Sequence, residues 1–244
     1  MPRIAIVVGD YPDAEFARRR DRIVAFSGGD IDVGVIRIAP SAYAKGFDGD
    51  EAQPFVPQFV AGFRRAEAEG YDAVSPLGVL DIGIDAGRMS VSIPIVGALE
   101  ASLHFATLLG RRAGLIVYSA NLVATVQRLA EHYGFAHAVA GYGHVGTDLT
   151  ELAASSARLH DAFVAAARTL IEANDADVIV SAGISLCPIH LDRTALERAI
   201  GLPVVEPIGA PIQLAASLVR MGIRHSRKCW PRRGENDRPH TRHG

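Results

Sequence analysis

The sequence predicts an α/β protein of two pseudo-symmetric lobes, each a mainly parallel sheet flanked by helices, with a functional cleft between them. Three observations carry this. Short β-branched runs alternate with longer amphipathic stretches, the second half repeats the order of the first, and the last twenty or so residues abandon the pattern.

Strand-like runs fall at Arg3–Val8, Asp32–Ile38, Asp72–Val74, Pro94–Val96, Gly114–Tyr118, Ala138–Gly143, Asp177–Val180 and Pro203–Val205. Helix-like segments lie between them near 13–26, 52–69, 99–110, 121–133, 151–174, 193–200 and 209–221. Strands that alternate with helices of this length imply parallel pairing, because each crossover has to return to the same end of the sheet.

Laid over each other, the halves correspond. Ile93-Pro94-Ile95-Val96 followed by Ala101, Leu103, Ala106 and Leu109 matches Leu202-Pro203-Val204-Val205 followed by Ala210, Ile212, Ala215 and Leu218. Asp72-Ala73-Val74, ending at Leu77-Gly78-Val79, matches Asp177-Val178-Ile179, ending at Ala182-Gly183-Ile184. Lobe one is thus about 1–110, with room for exchange of late-chain elements, and lobe two about 111–222. Strand C-terminal ends in open α/β sheets are where ligands bind, so Gly78 and Gly183 become counterparts at a shared crevice. The remainder, 223–244, carries His225-Ser226-Arg227-Lys228-Cys229-Trp230 and then a polar run, and reads as a flexible basic tail.

Composition narrows the function. A content of 49% hydrophobic residues in 244 supports a sizeable core. Lys+Arg 25 against Asp+Glu 27, a formal net charge of −2, gives no footprint for nucleic acid or an anionic membrane. The first apolar run, Ile4–Val8, is too short for a signal-peptide core, no stretch reaches membrane-span length, and the expected location is the cytosol. The expected partner is a small molecule. Cys187 and Cys229 are the only cysteines, too few for a disulfide framework or a Cys-rich metal site, and no metal, phosphate loop or dinucleotide fingerprint is expected. Apolar helix faces such as Leu99–Leu109 offer a route to a homo-oligomer and equally a face to pack on the sheet.

The stretch Gly83-Ile84-Asp85-Ala86-Gly87-Arg88, then Ile93-Pro94-Ile95-Val96-Gly97 and Glu100-Ala101-Ser102-Leu103-His104-Phe105-Ala106, resembles the aspartate/glutamate/hydantoin racemase superfamily, in its hydantoin racemase-like branch. Asp177-Val178-Ile179-Val180 to Gly183 and Gly201-Leu202-Pro203-Val204-Val205 resemble the second-half counterpart, so the likeness spans nearly the whole globular part. It implies two pseudo-symmetric lobes and racemisation without pyridoxal phosphate or metal. A cysteine from each lobe would exchange a proton on opposite faces of an acidic carbon. Carried over without gaps, the two cysteine positions fall on Gly78 and Gly183, and a glycine side chain moves no proton. The amino-terminal loop also departs from the family's Asn-Pro-Asn-like motif, reading Val8-Gly9-Asp10-Tyr11-Pro12-Asp13. The resemblance implies an isomerase acting on a small carboxylate or cyclic amide. A decarboxylase or lyase passing through an enolate-like intermediate, and a binding protein that has lost catalysis, remain alternatives.

Each candidate residue has a functional and a structural role to choose between. Gly78 and Gly183 are turn glycines, or open room and offer backbone N–H groups to an anion. Asp81 is a general base, or the cap of a helix beginning near Gly83. Cys187, expected near a helix start that would lower its pKa, is a replacement thiol or a small buried hydrophobe, and His190 is a proton donor or a loop histidine. Tyr118 and Ser119 are candidates to hold a carboxylate, and Tyr43 to line the mouth of the cleft. Glu206 ends the last strand near the crevice and Glu100 starts a helix, where a negative charge is favourable. Ser75 and Ser181 precede the glycines and would reach the catalytic positions only in a slipped register, against which stand the gapless match and the lack of a base beside Ser181; His104 reads as a core or interface histidine.

Overall fold

The computed structural model describes residues 1–38, 52–147 and 156–232. Tyr43 lies outside them. Two all-parallel sheets form the frame. In the first, β1 (Arg3–Val8) lies between β2 (Asp32–Arg37) and β3 (Ala73–Pro76); in the second, the order is β5 (Val139–His144), β4 (Ala113–Val117), β6 (Val178–Ser181), β7 (Val204–Val205). The central strands are buried along nearly their whole length, which is why Ile4–Val8 and Ala113–Val117 read as continuous apolar runs rather than alternating ones.

The helices are α1 (Asp13–Val24), α2 (Val56–Ala68), α3 (Ile84–Arg88), α4 (Ala98–Leu109), α5 (Val123–His132), α6 (Ser156–Asn174), α7 (Arg193–Ile200) and α8 (Gly209–Arg220). Their boundaries follow the amphipathic segments closely. α2 packs on β1 to β3 and α6 on β4 and β5, but two helices cross over: α4 lies on β4, β6 and β7 of the second sheet, and α8 lies on β1 and β3 of the first. α4 and α8 also pack on each other, which ties the sheets into one core through Leu99, Leu103, Ile212 and Ala215.

The predicted strand at Pro94–Val96 differs from the structure. It makes a single parallel bridge, Val74 to Ile95, with Val74 N donating to Pro94 O and Val96 N to Val74 O. On its outer side Ile95 N donates to His225 Nε2 at 2.7 Å, so a side chain from beyond α8 takes the place of a further strand. Residues 223–232, expected to belong to a flexible tail, have further partners there. Arg227 donates to the carbonyls of Arg88 and Val91, Arg232 to Ser92 Oγ and Ser90 O, and the Arg88 guanidinium lies 5.4 Å from the Trp230 ring centre.

Candidate active site

Gly78 and Gly183 stand at the same place in the two pairing schemes. The residue before each continues the ladder to its central strand: Leu77 N donates to Val7 O and Ala182 N to Ile116 O, both at 2.8 Å. Each glycine is therefore the first residue released from its sheet at a strand's C-terminal end. Their surroundings differ. A Cβ on Gly78 would meet nothing within 4 Å, but the backbone there has φ +113°, which L side chains rarely adopt. A Cβ on Gly183 would meet ordinary contacts at 3.6–3.7 Å, the nearest being Leu186 Cδ1, Leu186 Cγ and Tyr118 Cδ1, all carbons. Ser181 Oγ donates to Gly183 O at 3.2 Å and accepts from Cys187 N, which stiffens that turn.

Tyr118 thus reaches the Gly183 side, as expected of a residue at the end of β4. Ser119 is half-buried beside it and starts the short 3-10 turn Ala120–Leu122, accepting from Leu122 N.

The proposed replacements for the thiols are placed elsewhere. Asp81, at φ +48°, turns its buried carboxylate toward the start of α4, not toward a helix beginning at Gly83. It accepts from Leu99 N and Glu100 N at 3.1 Å each and from the Tyr133 hydroxyl at 2.9 Å. The helix N-cap is Gly97, which has no side chain to satisfy those amides; a Cβ on Gly97 would collide with the carboxylate. Asp81 is hence a cap supplied from sixteen residues upstream. Burial pushes it up to about 7, with the Glu100 charge adding to this, against the three hydrogen bonds that favour the ionised form. Burial likewise pushes the Tyr133 hydroxyl up, with Asp81 adding to it.

Glu206 plays the corresponding part for α8. It accepts from Ile208 N and Gly209 N at 2.8 and 2.7 Å, and a Cβ on Gly209 would collide with it. Burial raises its pKa and these two amides oppose that.

Cys187 is 0% exposed in an apolar cluster with Leu186, Leu191 and Leu196. Burial, then the charge of Glu206, pushes its thiol up, the reverse of the lowering expected at a helix start; α7 begins only at Arg193, capped by Asp192. His190 is half-buried and faces α1, where burial lowers its pKa, Glu15 opposes this, and Arg18 and Arg19 add to it.

One group that the sequence did not single out stands behind these loops. Arg19 of α1 is 2% exposed. It donates through Nη1 to Glu15 O and Glu15 Oε2 and through Nη2 to Ser185 Oγ at 3.0 Å, and its guanidinium lies 3.8 Å from the Tyr11 ring centre. Its Nε is buried with no hydrogen-bond partner, which costs about 1–3 kcal/mol. No local signal in the triplet Arg18-Arg19-Arg20 marks Arg19 as the buried member, since the next three positions, Arg20, Asp21 and Arg22, are all exposed.

A cavity of about 600 Å³ opens beside this machinery, between the Leu80–Ala86 segment and α5, with Asp81, Asp85, Arg128, His132 and Tyr133 in its wall. It reaches Asp81 but not the two glycines. Among the described residues no three His, Cys, Asp or Glu side chains converge to hold a metal ion, and no helix is long and apolar enough to cross a membrane.

The sequence model of the Asp/Glu/Hydantoin racemase family matches residues 24–215. A hydantoin racemase of Rhizobium meliloti is 27% identical over 181 residues, covering 73% of this chain and 72% of that protein. A hydantoin racemase of Pseudomonas sp. (strain NS671) is 20% identical over 172 residues, 70% and 68% of the two. In fold, the chain is similar to allantoin racemase from Klebsiella pneumoniae, with a TM-score of 0.84 at 17% identity, covering 93% of this chain and 91% of the other. It is also similar to unliganded arylmalonate decarboxylase, with a TM-score of 0.60 at 21% identity and 90% and 93% coverage. On the match across 24–215, with two lobes of the racemase fold beneath it, the chain belongs to the Asp/Glu/hydantoin racemase family.

Proposed function

We propose that this chain is a cofactor-independent enzyme acting at the acidic carbon of a small carboxylate or cyclic amide, and that its reaction is one-sided: it loses a group from that carbon rather than passing a proton between two faces. One observation carries the reading. The two counterpart positions that would hold proton-exchanging side chains are glycines, and the atoms nearest a Cβ there are carbons at Gly183 and none within 4 Å at Gly78. The matching ladder bonds before each glycine support treating the halves as a repeat with one cleft.

In this reading a substituted malonate sets one carboxylate against Leu186 and the Tyr118 ring. An apolar wall raises the energy of that charge, and losing CO2 relieves it. The C–C bond breaks, its electron pair enters the remaining carboxylate as an enolate-like dianion, and the Tyr118 and Ser119 hydroxyls stabilise the oxyanion. The carbon then takes one proton from water on the open Gly78 side. Gly78 and Gly183 leave room, and Glu206 holds the start of α8.

A second reading has its own observation. Asp81, pushed up to about 7 in the wall of the 600 Å³ cavity, is a carboxyl suited to proton transfer near neutrality, as an isomerase using Asp81 would need. Incubation of the purified protein with hydantoins, amino acids and substituted malonates, followed by chiral product analysis, separates the two. A monoacid from a malonate supports the one-sided reaction; a racemised hydantoin or amino acid contradicts it. Thermal stabilisation by a panel member without turnover would leave a binding protein.

A further inference from the structure

We propose that Arg19 is a positioning residue, a latch that holds the loop after β1 and the loop after β6 as one unit across the two lobes. The value of this for catalysis rests on the reading above; the mechanics of the latch do not.

Arg19 belongs to α1, which packs on the first sheet, and Ser185 lies two residues beyond Gly183, in the loop that follows β6 of the second. The Nη2 to Ser185 Oγ bond joins positions 166 residues apart, and both residues are buried. The same guanidinium lies on the ring of Tyr11, in the loop that follows β1, so a single rigid planar group touches both strand-end loops. Nothing about local stability calls for it. A buried charge with one partly exposed carboxylate partner and an unpartnered Nε is an expensive way to fill space, and apolar side chains would pack a lobe contact at lower cost. What a planar fork supplies and a leucine does not is fixed geometry. The loop Gly9–Asp13 is also held from its own lobe, where Arg37 donates to Asp10 Oδ1, Asp13 Oδ1 and Tyr11 O. If Arg37 alone set that loop, cutting the bond to Ser185 would leave it undisturbed.

The test is hydrogen–deuterium exchange of the full chain, without any substrate, comparing wild type with Ser185→Ala. The variant removes one hydroxyl and leaves the Glu15 pair and the Tyr11 stack in place. The latch predicts that exchange quickens about tenfold in peptides covering both 183–191 and 9–13, the scale of a lost hydrogen bond to a charged group, while α5 is unchanged and the melting temperature falls by only about 2–6 °C. Arg19→Lys, which cannot serve Glu15, Ser185 and the Tyr11 face together, should quicken the same two loops. Quickening confined to 183–191, no change in either loop, or a uniform rise across all peptides including α5 would overturn the proposal. Failure of the catalytic reading would show in product analysis and leave these exchange rates untouched.

Discussion

Asp81 accepts three hydrogen bonds and still titrates near 7 because burial outweighs its partners. The consequence for stability has a definite sign. Its pKa is raised from 3.8, so between these values the folded chain holds a proton that the unfolded chain releases. The contribution is fully present below about 3.8 and is lost as pH rises through about 7, at up to about 1.4 kcal/mol per pH unit. Asp81→Asn cannot titrate and accepts from only one of the two α4 amides. It should be less stable than wild type by about 1–2 kcal/mol at pH 5, with the gap closed or reversed by pH 8, in denaturant titrations at both values. Parallel curves would contradict this. The glycine pair makes a second prediction at the same scale. Gly183→Cys meets only ordinary contacts and should cost under about 1 kcal/mol, whereas Gly78→Cys imposes φ +113° on a side chain and should cost about 1–3 kcal/mol despite the open space. That Gly78 and Gly183 stand at equivalent strand ends was legible in the sequence, because the internal repeat pairs the two positions. The partner of Asp81 was not: a cap delivered from sixteen residues away leaves no mark in any helix-length window. The burial of Cys187 was legible only as one of two readings for a related reason, since apolar neighbours from β6 and α7 bury it and only the fold brings them together.

Strands and helices were mostly legible to within a few residues, because the helices bury one apolar stripe and the central strands read as continuous apolar runs. Pro94–Val96 was the exception. Its apolar alternation is that of a strand, yet one side pairs through a single bridge and the other is taken by His225. Helix starts show the same pattern in both lobes, with a carboxylate from outside the helix bonding the first amides of α4 and of α8. Glu206→Ala should therefore cost about 1–2 kcal/mol in urea unfolding, the scale of a lost N-cap, and Glu206→Gln less. A cost near zero would mean that water caps α8 as well. The crossing of α4 onto the second sheet and α8 onto the first was invisible to periodicity, which tells which face is apolar and not which sheet covers it.

At the scale of the molecule, residues 225–232 return to lobe one and bear on the stretch before α4. His225 accepts from Ile95 N, and Arg227 and Arg232 hold the Ser90–Ser92 stretch between α3 and α4. Burial, then the Arg88 charge, pushes His225 down to about 4 from 6.5. Here the sign is opposite to that of Asp81: stability is present above 6.5 and lost as pH falls toward 4, because the unfolded chain takes the proton first. His225→Gln should flatten the acid side of the stability profile, measured between pH 4 and 6.5; an unchanged slope would assign it to other groups. The two lobes and the swapped helices place glycines at the two counterpart strand ends, and the one-sided reaction proposed above rests on that. The most direct measurement is proton NMR in deuterated buffer with an α,α-disubstituted malonate and, separately, a hydantoin. The account predicts a monoacid carrying one deuterium at the former malonate carbon and an unchanged hydantoin α-proton. Loss of the hydantoin α-proton signal with no new product would contradict it, and would mean that a proton is exchanged on the substrate without the thiol pair.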